Sequence, residues 1–355
     1  MYVVRRGSLA LVAIAAAICL CMTGSATAKL NVMTLKGTPA PGTPAKYNKF
    51  KVVKQGPKKA KKILLLEPGT SAGATNFRPL TNSLIKQLKG WQVWSIERRE
   101  NLLEDHSMLE KYLKDQATNQ EMLDYYLGWI INSSIQPHFQ GKTTEETEYA
   151  KKWGLSMVVH DIRKVVKIAR KGGRKVVLGG HSLGGSIVTA YATWNFNGKP
   201  GAKGLSGLVF IDGAGAREPA DLPTAADAQE RLDALNEPSA SPFIQLVPPL
   251  PWAAGVFNAM GSLAALKDPN SRSLVGDFPL LPADLKPPVS STNLAQYAYA
   301  VDADTGPENL QLVQSHIGDL APSGDPRGWV NGQLGTAQRA AQVFTEIDGM
   351  DGTSW

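Results

Sequence analysis

The stretch from Lys175 to Trp194 constrains the fold of this 355-residue chain more than any other. A short run rich in β-branched residues leads into Gly-His-Ser-Leu-Gly, centred on Ser182, and an apolar-periodic segment follows. This pattern predicts a buried strand, a sharp turn and a helix. Glycines two residues before and after Ser182 let the strand and the helix pass closely, so the turn would hold the serine hydroxyl exposed.

Such a turn suits nucleophilic attack on a carbonyl group. Ser182 is the candidate nucleophile. The backbone N–H of Leu183, at the start of the helix, would face the negative charge that develops on the attacked oxygen. Leu183 is therefore a predicted oxyanion donor. A Gly-Ser turn without chemistry is the alternative, because Gly-x-Ser-x-Gly alone is a weak pattern in a chain with 34 glycines.

Through these residues the chain resembles the α/β-hydrolase superfamily over about residues 60 to 215. The resemblance extends to the apolar run 63–66 and the following Glu67-Pro68-Gly69-Thr70, which is similar to the strand and loop that supply the second oxyanion donor. It implies an α/β fold with a mostly parallel sheet flanked by helices, and the Thr70 N–H as that donor. Many members have a histidine before the glycine, but a backbone donor requires no side chain.

The resemblance also implies a triad acid after one of the two strands that follow the helix, and a histidine on a late loop. Asp212 follows the predicted strand 205–211 and is the candidate acid, with an aspartate that caps the next turn as the equal alternative. His316 is the candidate base, because it is the one histidine after Ser182. The earlier histidines are His106, His138, His160 and His181.

A second hypothesis explains why no convincing strand precedes His316. After residue 331 the sequence predicts one helix, 337–344, and ends at Trp355 without two further strands. The chain would then be incomplete, and the segment that carries the true histidine would lie beyond it.

The first 28 residues predict a secretory signal peptide. Arg5 and Arg6 precede an apolar run, 9–22, and Ala26-Thr27-Ala28 supplies a cleavage pattern. An uncleaved membrane anchor is the alternative. Both cysteines lie in this segment, so the mature chain would have none, which excludes a cysteine nucleophile and a cysteine-based metal site. The chain is predicted to be exported, to lack a stable anchor after cleavage, and to need no metal or organic cofactor.

The rest of the chain divides into segments of different composition. Residues 29–48 are rich in proline and predict an extended leader. A hydrolase core is predicted over 49–220, with an insertion at 101–154. Residues 221–330 hold fourteen of the 23 prolines and predict a cap of short helices and irregular segments. Residues 331–355 would begin a C-terminal core segment.

Three side-chain predictions accompany this division. Residues 97–99, Glu-Arg-Arg, lie at the carboxyl end of a predicted strand, where a salt-bridged cluster is favoured over a substrate contact. Asp161 and Arg163 are predicted on the wetter face of a helix over 155–169. Aromatic residues of the insertion either line a pocket or pack on the core, and packing is favoured: Tyr125, Tyr126 and Trp129.

The charge of the chain is positive, with a formal net charge of +7 that falls to +5 once Arg5 and Arg6 are removed. Seven lysines lie within 49–62. A solvated basic segment is favoured over a surface for nucleic acid or anionic lipid. No aromatic residues alternate with these lysines, so no nucleic-acid partner is predicted.

Together these features predict an exported serine hydrolase that acts on small-molecule or lipid carboxylic esters through an acyl-enzyme on Ser182. An acyltransferase with the same nucleophile is the first alternative. A non-catalytic binding or surface protein that keeps the fold without a triad is the second. No oligomeric state follows from the sequence.

Overall fold

A computed structural model describes residues 30–70, 72–213, 223–243, 252–302 and 305. The predicted signal peptide (1–28), His316 and the segment 331–355 lie outside them. A six-stranded sheet with the order β1-β2-β4-β3-β5-β6 forms the centre. Its strands are β1 Asn31–Lys36, β2 Lys49–Gln55, β3 Lys62–Glu67, β4 Trp91–Glu97, β5 Lys175–His181 and β6 Gly207–Ile211. Strands β3 to β6 are parallel, and β2 is antiparallel to both neighbours.

The described residues also form eight α-helices. They are α1 Arg78–Gln87, α2 Ser107–Leu113, α3 Asn119–Tyr126, α4 Leu155–Ala169, α5 Leu183–Thr193, α6 Ala225–Asn236, α7 Ala253–Lys267 and α8 Asn293–Val301. On β3, Ile63 and Leu65 face α4 and α5, whereas Leu64 and Leu66 belong to the cluster on the α1 face. Burial on both faces explains the continuous apolar run of β3. The predicted α/β-hydrolase fold is confirmed.

The first strand differs from the predicted extended leader over 29–48. Residues 31–36 form β1, which pairs antiparallel with β2 and places Leu35 opposite Phe50. Met33 and Leu35 pack against the core on that side. The prolines that suggested a leader come after the strand, where they cannot interrupt its hydrogen bonds.

A second hydrophobic core joins the predicted insertion to the region after residue 221. Helices α2 and α3 pack on α7, and Met122 and Met260 are fully buried between them. Tyr126 is also fully buried, with its ring 5.7 Å from that of Phe139, so it packs in this core rather than lining an open pocket. In the part of the chain that the structure describes, no helix combines the length and the hydrophobicity that a membrane span requires.

Candidate active site

Ser182 lies at a corner between β5, which ends at His181, and α5, which begins at Leu183. Its φ of 50° and ψ of −121° are a conformation that residues other than glycine rarely adopt, at a cost of about 1–3 kcal/mol. Two hydrogen bonds hold it. The Ser182 N–H donates to the Ile211 carbonyl at 3.2 Å, and its carbonyl accepts from the Gly185 N–H at 2.9 Å.

The corner is possible only because glycines surround it. A Cβ atom on Gly180 would lie 2.1 Å from the carbonyl oxygen of Gly184, and one on Gly184 would lie 2.2 Å from that of Glu67. A Cβ atom on Gly213 would lie 2.4 Å from the Ser182 carbonyl oxygen. These close approaches bring the segments after β3 and β6 against the serine.

The loop after β3 therefore lies beside Ser182. A Cβ atom on Gly69 would be 3.1 Å from the Cβ of Ser182. Arg98 holds this loop, because its Nη1 donates to the Pro68 carbonyl at 2.8 Å and its Nη2 to the Gly69 carbonyl at 2.7 Å. In a trans peptide the C=O and N–H point in opposite directions, so the Thr70 N–H points away from Arg98. The Leu183 N–H, in the first turn of α5, has no acceptor within the helix.

Arg98 is shared between two carboxylates. Its Nη1 lies 3.1 Å from Glu67, and its Nε donates to Glu100. Glu67 is fully buried, and this burial raises its pKa from 4.5 to about 7, although Arg98 opposes the shift. Burial disfavours the charged carboxylate, and Arg98 is shared with the partly exposed Glu100, so Glu67 takes up a proton near neutral pH.

The neighbouring Arg99 forms a separate buried pair. Its Nη2 lies 2.6 Å from Asp161, which also accepts from the backbone N–H and the hydroxyl of Thr38. Asp161 is 6% exposed, so the prediction of a wetter face was wrong for this residue. The prediction that residues 97–99 belong to a salt-bridged cluster is confirmed for both arginines.

The shifted pKa of Glu67 predicts a pH-dependent stability. The folded-state pKa lies above its ordinary value, so the stabilisation is complete below pH 4.5 and is lost as the pH rises through about 7. Between pH about 5 and about 9, the wild type should lose up to about 3 kcal/mol of unfolding free energy relative to Glu67→Gln. Urea unfolding at several pH values measures this difference. If the unfolding free energies of the two proteins change with pH in parallel, Glu67 does not have a raised pKa.

Asp212 lies at the end of β6, beside the strand-to-helix corner at Ser182, which we call the elbow. Its φ is 44°, and the next residue, Gly213, packs against the backbone of Ser182. Burial lowers the pKa of His181, and the nearby charge of Asp212 opposes that shift. The structure thus places Asp212 near Ser182. Within the described residues its carboxylate makes no hydrogen bond that would decide between the two predicted roles.

None of the four histidines in the described part of the chain is hydrogen-bonded to Ser182. His106 pairs with Glu104, His138 contacts the Phe139 carbonyl, and His160 contacts the Ser156 carbonyl. His181 is adjacent in sequence, but its Nδ1 is buried without a partner. Among these residues there is also no group of side chains suited to hold a metal ion. His316 lies outside the described residues.

A family comparison identifies the class of protein that this fold and corner define. Residues 136–348, more than half of the chain, match the model of the alpha/beta hydrolase family. The chain belongs to this family. The match includes Ser182, Asp212 and His316, and it begins after Thr70.

Solved structures of several hydrolases are similar to the chain. A candidate lipase from Sulfolobus solfataricus is 16% identical with a TM-score of 0.39, over 70% of this chain and 60% of that one. A monoglyceride lipase from Saccharomyces cerevisiae is 14% identical with a TM-score of 0.30, over 69% and 54%. A carboxyl esterase from Bacillus coagulans is 15% identical with a TM-score of 0.28, over 51% and 44%. The chain thus spans 60% or less of each of these proteins. No curated protein matches it.

Proposed function

We propose that the protein is an exported serine hydrolase that cleaves carboxylic esters through an acyl-enzyme on Ser182. The observation that carries this proposal is the backbone of Ser182, held at φ 50° between β5 and α5 with the Gly69 loop beside it. Membership of the alpha/beta hydrolase family supports hydrolysis as the reaction. Export is proposed from the signal-peptide pattern of residues 1–28.

In the proposed reaction, the Ser182 hydroxyl attacks the ester carbonyl carbon while a histidine takes its proton. The N–H groups of Leu183 and Thr70 donate to the oxygen of the tetrahedral intermediate, where negative charge develops. The histidine returns the proton to the departing alcohol. Water then attacks the acyl-enzyme by the same route, which releases the acid and restores the serine.

We assign the base to His316 and its orienting acid to Asp212. Three of the other histidines, His106, His138 and His160, make contacts away from the serine hydroxyl. The Nδ1 atom of the fourth, His181, is buried. Residue 316 lies within the segment that matches the family. Asp212 follows β6 directly beside the elbow, so a histidine that reaches Ser182 would also come near this carboxylate.

Rapid mixing with a p-nitrophenyl ester tests the acyl-enzyme. We expect a burst of nitrophenol equal to the number of active sites, followed by slower turnover. The burst rate should fall as the pH drops through about 6.5, the ordinary pKa of histidine, and should be at least about 100-fold slower in His316→Ala.

Two outcomes separate the alternatives. If an added alcohol takes the acyl group faster than water does, the enzyme is an acyltransferase with the same nucleophile. If the folded full-length chain binds the ester but releases no nitrophenol, the protein is a non-catalytic binder and the proposal is wrong.

A further inference from the structure

The connections of the sheet come together at two opposite edges. Because β3 to β6 are parallel, their carboxyl ends share the edge that carries Ser182, and their amino ends share the other. Register confirms this arrangement: Lys62 lies opposite both Trp91 and Lys175. Strand β2 is antiparallel, so its last residue also ends there. We call this second edge the amino edge; its residues are 56–62, 86–91, 167–175 and 194–207.

The amino edge carries only positive charge. Its segments contain no Asp or Glu, and neither do the longer stretches 31–66, 68–96 and 162–211. Its exposed cations are Lys58, Lys59, Lys61, Lys62, Lys86, Lys89, Lys167, Arg170, Lys171, Lys175, Lys199 and Lys203. The whole chain has a net charge of only +7, so the rest of the molecule is net acidic.

These cations are not used in internal ion pairs among the described residues. The nine salt bridges of that part of the chain involve other lysines, arginines and a histidine. Unpaired like charges repel one another, and the folded protein gains nothing from collecting them on one face. An external anionic partner would offset that repulsion.

A cavity at one end of the amino edge adds a concave site. It has a volume of about 260 Å³ and lies between α4 and the segment 194–206. Its basic lining residues are Arg163, Lys167, Arg170, Lys199 and Lys203. Arg163 is held in place by the ring of Phe196, whose centroid is 3.9 Å from the guanidinium carbon. This space suits a phosphate group, which guanidinium and ammonium donors bind well.

We propose that the amino edge docks the protein on a surface of anionic phospholipid headgroups, with a headgroup phosphate in this cavity. The cations lie on four connections that all reach the same edge of the sheet. Such a wide distribution of charge fits binding to an extended anionic surface better than binding to a single small anion. Leu88 is exposed between Lys86 and Lys89 and can enter the headgroup boundary. Single-stranded nucleic acid fits less well, because the aromatic residues of the edge are at least half-buried: Trp91, Trp194 and Phe196.

Docking in this way fixes the orientation of the active site. Strand β5 has seven residues, so the two edges are roughly 20 Å apart. This exceeds two Debye lengths of about 8 Å at physiological salt, so the acidic groups near Ser182 do not oppose docking. Ser182 would face away from the lipid surface and accept its substrate from the solution. The docking itself does not depend on the proposed esterase activity.

Sedimentation of the full-length protein with lipid vesicles tests the proposal. We expect binding to vesicles of phosphatidylcholine and phosphatidylglycerol, weak or no binding to pure phosphatidylcholine, and release by salt. Each lysine near an anionic surface contributes about fivefold in affinity, so Lys58→Glu, Lys59→Glu and Lys61→Glu together should lower affinity by at least about 100-fold. These side chains are exposed, so the variant should keep the Tm of the wild type.

A control variant has the same net charge as the first triple variant but has its three substitutions outside the amino edge: Lys111→Glu, Lys142→Glu and Lys286→Glu. These lysines are exposed and lie outside the four segments of the amino edge, with Lys111 in α2, so their replacement should leave vesicle binding within a few-fold of wild type. Equal loss in both triple variants would overturn the proposal, since net charge alone would then explain binding. Absence of vesicle binding at low salt would also overturn it.

Two competitors identify the source of the anion. Inorganic phosphate can fill only the cavity, so at equal ionic strength it should release the protein from vesicles little better than chloride does, and complete release by phosphate alone would show a site for free phosphate instead. Duplex DNA that binds while vesicles do not would place a nucleic acid on this edge and overturn the lipid proposal.

Discussion

Replacing Ser182 with alanine is expected to lower kcat/KM for ester hydrolysis by about 10⁵-fold. The hydroxyl is the only group at the corner that can form the acyl-enzyme, and loss of a serine nucleophile in such machinery typically costs 10⁵–10⁶. The residual rate comes from binding and the oxyanion donors, which the substitution leaves in place. The fold should persist, because alanine faces the same backbone strain at φ 50° as serine does. Steady-state kinetics on a soluble ester measure the effect.

Ser186 supplies the matched control. It is an exposed serine on the first turns of α5, four residues after the proposed nucleophile. Ser186→Ala should keep kcat/KM within about twofold of wild type. If Ser182→Ala keeps more than about a tenth of the wild-type activity, another residue is the nucleophile.

Replacing Arg98 with lysine is expected to lower kcat by about 10²–10³-fold with little change in KM. Arg98 uses two nitrogens of a planar fork to hold the carbonyls of Pro68 and Gly69, and a single ammonium cannot hold both. The Gly69–Thr70 peptide would then be free to turn, and the Thr70 N–H would leave the oxyanion. Removal of one oxyanion donor typically costs 10²–10³ in kcat, because the donor acts mainly on the transition state.

The neighbouring Arg99 is a control that distinguishes a role in positioning the Thr70 amide from a role in stability alone. Arg99 is also buried and paired, but its partners are Asp161, Thr38 and Asn48 rather than the loop after β3. Arg99→Lys should lower the unfolding free energy without a selective loss of kcat. If Arg98→Lys shows the same pattern, with lower stability and an unchanged kcat, then Arg98 does not position the Thr70 amide.

The sequence predicted the elbow well because its determinants are local. A β-branched run, two glycines around a serine and a 3.6-residue period all lie within 20 residues, so no distant partner is needed to form the turn. The helix over 155–169 was predicted for the same reason, and its observed bounds agree.

The residues that were missed or misplaced depend on partners far along the chain. Asp161 lies on a polar position of a helix, and only the pairing with Arg99, 62 residues away, explains its burial. Strand β1 is made by its pairing with β2, and the prolines after it suggested a leader instead.

The contact of Arg98 with the loop after β3 was not predictable from sequence motifs. Glu67 and Arg98 both lie at carboxyl ends of strands, but their contact requires β3 and β4 to be neighbours, and this follows from the strand order. Glu100 lies two residues after Arg98 in the sequence, but Glu67 precedes it by 31 residues. Their sharing of a single buried cation could only be seen once the strands were placed side by side.

Reaction of the full-length protein with a fluorophosphonate, followed by digestion and mass spectrometry, tests most directly whether Ser182 is the nucleophile. We predict one phosphonylated peptide, which carries the modification on Ser182. Labelling should disappear in Ser182→Ala and persist in Ser186→Ala. Modification of a different residue, or no modification of the folded protein, would contradict the assignment of Ser182 as the nucleophile.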